Sequence, residues 1–77
     1  MNQEKKTQVN EIITEIQKQE EKLLETQSKL IRARDDLPHH HILEEKYERM
    51  DYACDLIQIC LDCLNQAREN MEEAIRS

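Results

Sequence analysis

Seventy-seven residues without one glycine leave few ways to reverse a polypeptide chain. Glycine is the residue that enters positive φ at little steric cost, and the tight turns between β-strands depend on it. A multi-stranded hairpin fold is therefore not expected. The single proline, Pro38, sits at mid-chain and marks the only strong break. Glu, Gln, Lys, Leu and Ala dominate the remainder, and aromatic residues make up 3%. Such a mixture belongs to long amphipathic helices. The expected class is all-α, a single domain over residues 1–77 built as an antiparallel two-helix hairpin.

Periodicity places the helices. From Val9 an apolar residue returns every seven positions, at Ile16, Leu23, Leu30 and Leu37. Ile12 and Ile13 widen this row early, and Leu24 and Ile31 widen it later. In the adjacent row Gln19, Thr26 and Ala33 stand where a coiled coil prefers Leu. Helix 1 is expected over about residues 5–35, with residues 1–7 frayed. The turn, about 36–40, follows from Asp35-Asp36-Leu37-Pro38, because Pro38 removes a helical hydrogen bond and pushes Leu37 out of the α region. Asp35 and Asp36 are candidates to cap the second helix or turn the chain. A connection this short makes the helices antiparallel neighbours.

Helix 2, expected over about residues 41–76, carries the stronger pattern. Leu43, Tyr47, Met50, Cys54, Ile57, Leu61, Leu64, Arg68, Met71 and Ile75 alternate steps of four and three, and only Arg68 interrupts the row. A second apolar stripe runs beside it through Tyr52, Leu56, Ile59 and Cys63, with Ala53, Cys60, Ala67 and Ala74 between the two. At 100° per residue, the apolar arc over residues 50–67 spans roughly 220°, whereas one neighbouring helix covers little more than about 100°. Helix 1 cannot hide all of it. Either self-association into a four-helix bundle or another protein must cover the rest. Tyr52, Leu56, Ile59 and Cys63 are the expected partner-binding residues.

The net charge of −6 is unevenly placed: seven Lys/Arg face eight Asp/Glu in residues 1–37, against four and nine in residues 38–77. A phosphate backbone demands clustered cations, so the chain is a poor nucleic-acid binder. Lys29, Arg32 and Arg34 cluster near the turn, but Glu25, Asp35 and Asp36 intervene. Three cysteines, all in one apolar segment, do not make a secreted disulfide framework and point to reduced thiols in the cytoplasm. The Met-Asn-Gln-Glu-Lys-Lys start leads into no apolar run, so no signal peptide is expected, and no segment approaches the roughly 20 apolar residues of a membrane span.

Catalytic chemistry finds no constellation. Cys60-Leu61-Asp62-Cys63 has C-x-x-C spacing, but a mid-helix pair lacks the helix N-terminus that activates such thiols. A zinc site needs two further ligands, and His41 stands roughly 28 Å along the helix from Cys60. The cysteines read as small core hydrophobes, and His39, His40 and His41 as solvated turn residues. No Gly-rich phosphate loop or Ser/His/Asp ordering occurs, and a two-helix hairpin encloses no pocket. No enzyme, no metal and no cofactor are expected.

After the turn at Asp36-Leu37-Pro38, a helix opening near Lys46-Tyr47 continues through Met50, Ile57, Leu61 and Leu64. Over roughly residues 20–67 this arrangement resembles the small needle-subunit co-chaperones of bacterial type III secretion, the YscE, PscE and SsaE-like group. The resemblance implies a cytoplasmic protein that pairs with a larger helical-repeat chaperone and keeps the needle subunit soluble before export. Two other functions remain open. One is a homodimeric four-helix-bundle RNA-binding regulator, which should show a basic face on helix 1, where Lys18, Lys22 and Lys29 alternate with Glu15, Glu21 and Glu25. The other is a coiled-coil adaptor subunit.

Overall fold

The computed structural model describes residues 1–38, 40 and 44–77; the roles expected of His39, His41 and Leu43 lie outside the described residues. Two helices, α1 (Gln3–Asp35) and α2 (Glu45–Arg76), pack against each other as an all-α hairpin, with no strand among the described residues. The molecule is a rod of 59 × 14 × 13 Å with a radius of gyration of 17.5 Å. A compact domain of this length would have a radius near 11 Å. Elongation follows directly from two helices of more than 30 residues, each about 50 Å long at 1.5 Å per residue.

Helix α1 starts earlier than its apolar pattern suggests, and the first turn is not frayed. The Asn2 side chain accepts a hydrogen bond of 2.9 Å from the Lys5 amide, satisfying one donor that the first turn would otherwise leave open. At the other end Asp36 closes the helix, its amide donating to the Arg32 carbonyl, and the Leu37 amide reaches back to Arg34. Of the two roles expected of Asp35 and Asp36, capping α2 falls to neither, and Asp36 lies in the turn that ends α1. Glu44 holds the N-cap position in extended conformation without a side-chain cap bond, so α2 opens at Glu45 rather than near 41.

The seam expected on α2 holds for every described member: Tyr47, Met50, Ile57, Leu64, Arg68, Met71 and Ile75 are half-buried, and Cys54 and Leu61 are buried. The apolar row Val9, Ile16, Leu23 and Leu30 on α1, continued by Leu37 just beyond it, also turns inward. The second row of that seam differs from the expectation. Gln19, Thr26 and Ala33 are exposed, and Ile13, Glu20, Gln27 and Arg34 face α2 instead. Both rows flank the apolar one at helical spacing, so periodicity could not choose between them. The choice follows from partners on α2, described below.

Among the described residues only Ile13, Cys54 and Leu61 fall below a tenth of their full exposure, at 8%, 5% and 6%. The accessible surface, 5915 Å², exceeds the roughly 5,000 Å² expected of a compact monomer of this mass. Stability thus rests on few side chains. Leu61→Ala should cost about 2–3 kcal/mol in urea denaturation, as a well-buried leucine truncation does. Leu61→Glu should abolish the cooperative unfolding transition by placing an unpaired charge in that seam.

Candidate protein-binding face

Three polar side chains of α1 occupy the inner row at seven-residue intervals, and each meets a chosen partner. Glu20 accepts from Arg68 Nε at 2.8 Å, and the same guanidinium donates to Glu72 at 3.1 Å and to Asn65 at 2.6 Å. Gln27 donates to the Cys54 carbonyl at 3.3 Å and to the Gln58 side chain at 3.1 Å. Arg34 donates to Asp51 at 2.7 Å and to Asp35 at 3.1 Å, with the Tyr47 ring centred 5.9 Å from its guanidinium carbon. Bonding to Asp35 raises the Arg34 pKa above its ordinary value, and bonding to Glu20 does the same for Arg68. A raised cationic pKa stabilises the fold at every pH below the unfolded guanidinium's own range. The contribution disappears only when pH climbs through the raised value, so neither arginine makes the hairpin pH-sensitive near neutrality.

These contacts all lie on one side of the hairpin. In heptad terms Asp51, Gln58, Asn65 and Glu72 repeat every seven residues along α2, flanking its seam towards the polar row of α1. This edge is closed by hydrogen bonds. The basic cluster suggested by Lys29, Arg32 and Arg34 does not form a surface patch: Arg34 enters the seam and Lys29 pairs with Glu25 at 3.1 Å.

The opposite side of α2 is apolar and open. Tyr52, Ile59 and Leu56 keep 64%, 58% and 44% of their full exposure, and Cys63 is exposed as well. These four lie about 150° around the helix from the seam, so α1 cannot reach them. Cys60, beside them, is also exposed, whereas Cys54 is buried. The reading of the cysteines as core hydrophobes therefore holds for Cys54 and fails for Cys60 and Cys63, because helical spacing carries those two off the seam. Ile12 and Leu24 add isolated exposed apolar side chains on α1.

Two concavities are shallow, open depressions, one lined by Thr7, Asn10, Glu11, Thr14, Glu15 and Lys18, the other by Gln17, Glu20, Glu21, Leu24 and Arg68. Among the described residues no three His, Cys, Asp or Glu side chains converge as a metal site, and no helix is long and apolar enough to cross a membrane. His40 is exposed. Compared with known protein families, curated proteins and solved structures, the chain matches none of them.

If the inner polar row fixes helix alignment, Arg68→Leu alone should lower the melting temperature by stranding Glu20 in the seam. Joining it with Glu20→Leu should restore or raise the melting temperature, as replacing a half-buried pair by apolar side chains often does. A double variant no more stable than Arg68→Leu would show that the pair contributes net stability of its own.

Proposed function

We propose that this chain is a protein-binding helical hairpin, acting in the cytoplasm and catalysing no reaction, whose second helix docks a partner through Tyr52, Leu56, Ile59 and Cys63. The observation that carries this reading is the exposure of the first three at a position that the hairpin's own first helix cannot cover. Adjacent large apolar side chains on one helix face form the kind of patch that marks an interaction site. Tyrosine suits such a place, since its ring adds contact area while its hydroxyl tolerates water. A docked amphipathic helix would cover the stripe from the side of α2 away from α1, giving that helix a second apolar seam.

The particular form we propose is a co-chaperone that pairs with a larger helical-repeat chaperone and keeps a type III secretion needle subunit soluble before export. Its support is the resemblance carried by Lys46-Tyr47, Met50, Ile57, Leu61 and Leu64, and the agreement between a thin core and obligate pairing. A tagged chain, purified from its native host in reducing buffer after nuclease treatment, should bring down a helical-repeat protein together with a small secreted subunit. Recovery of the tagged chain with only its own untagged copies would favour a self-contained bundle and remove the co-chaperone form. Ile59→Glu should leave helical circular dichroism nearly unchanged yet reduce capture of the partner at least tenfold. Unfolding of that variant would mean that residue 59 supports the hairpin rather than the partner.

A further inference from the structure

The apolar stripe on α2 has a charged border on one side only. Glu48, Asp55, Asp62 and Glu69 repeat every seven residues and lie between the stripe and the hydrogen-bonded edge. All four are exposed, and among the described residues none is in an ion pair. The other carboxylates that flank the seam, Glu20, Asp51 and Glu72, are each held by an arginine of the hairpin. Between Arg49 and Arg68, α2 carries neither lysine nor arginine. The stripe therefore presents a row of carboxylates that no cation of the hairpin pairs, Asp62 and Glu69 accepting only from the neutral amides of Gln58 and Asn65, along an apolar face about 17 Å long, or three helical turns from residue 52 to 63.

A second copy of the chain answers this row poorly. Antiparallel packing of two α2 stripes brings like flanks together, setting Asp55 opposite Asp62 of the other copy. Parallel packing places each acidic row beside Ala53, Cys60 and Ala67 of the other copy and leaves it unpaired. Packing α2 against α1 of the other copy brings Lys22 and Lys29 near the row, but matches the apolar stripe with Gln19 and Thr26.

We infer that the partner of this face is an amphipathic helix with an aliphatic stripe bordered on one side by lysine or arginine. This rests on the protein-binding reading of the stripe and adds the chemistry of its occupant. The stripe supplies burial, and the acidic row fixes the direction in which the incoming helix lies.

Two synthetic helical peptides of about 14 residues test this, sharing one leucine stripe and bordered by either lysine or glutamate, with a scrambled lysine peptide as control. Fluorescence anisotropy against the full chain should show the lysine-bordered peptide binding at least tenfold tighter than the glutamate-bordered one, with the scrambled peptide not binding. Joint Asp55→Asn and Asp62→Asn substitution should weaken the lysine-bordered peptide about three- to tenfold, the scale of exposed ion pairs. Glu11→Gln with Glu15→Gln, an equal charge change on α1, should leave it unchanged. Equal binding of both stripes would overturn the basic border while leaving the docking face standing. Binding of the scrambled peptide would overturn it too, by reducing the effect to net charge. Binding of neither stripe overturns it as well. In that event sedimentation separates two cases: a dimer that Ile59→Glu dissociates makes the second copy the occupant, and a monomer removes the docking face altogether.

Discussion

The hairpin depends on a row of polar side chains placed where a coiled coil normally has leucine. Glu20, Gln27 and Arg34 point from α1 into the seam, and each is satisfied by a particular group of α2: Arg68, the Cys54 carbonyl with Gln58, and Asp51. Apolar rows alone tolerate sliding by a heptad, because each leucine meets another of the same shape. A glutamate slid by seven residues would lose its arginine and remain desolvated, which costs more than any apolar contact regained. Polar seam residues thus set the alignment of the two helices, and the apolar residues between them supply most of the burial.

That division explains the thin core. Three of the four residues in the inner row on α1 are polar, so among the described residues the seam contains three well-buried apolar side chains: Ile13 near one end, Cys54 and Leu61 near the middle. A rod of two helices also has a high ratio of surface to volume, and its accessible area exceeds that of a compact chain of equal mass. Small domains of this kind usually gain further burial by association or by a structural crosslink. Here the cysteines are free, and the outer stripe of α2 is the surface through which association would add burial.

The two edges of the hairpin differ in kind. On one, Asp51, Gln58, Asn65 and Glu72 complete hydrogen bonds with α1 or with the seam arginine, so the edge is polar and already satisfied. On the other, small residues (Ala53, Cys60 and Ala67) lead to Tyr52, Leu56 and Ile59 with nothing above them. Small side chains at a helix flank let a neighbouring helix approach closely, and the large ones beyond give it area to cover. The asymmetry gives the molecule one face suited to docking and one that is closed.

Much of this was legible in the residues. Absence of glycine, the lone Pro38 and the four-three spacing on α2 gave two antiparallel helices and the inward face of the second, since backbone sterics and helical periodicity act locally. The surplus stripe was legible by the same arithmetic, because 100° per residue assigns each position to a face. The inner row of α1 was not. Gln19-Thr26-Ala33 and Glu20-Gln27-Arg34 flank the apolar row equally well, and only the groups waiting on α2 decide between them. A hint was present, since Glu20 with Arg68 and Arg34 with Asp51 are opposite charges whose positions mirror each other about the turn. The start of α2 likewise needed the structure. Sequence determined which segments are helical and how much apolar surface each carries, as properties of a single helix; the tertiary structure decided which polar residues of α1 enter the seam, because that is fixed by what the opposite helix offers.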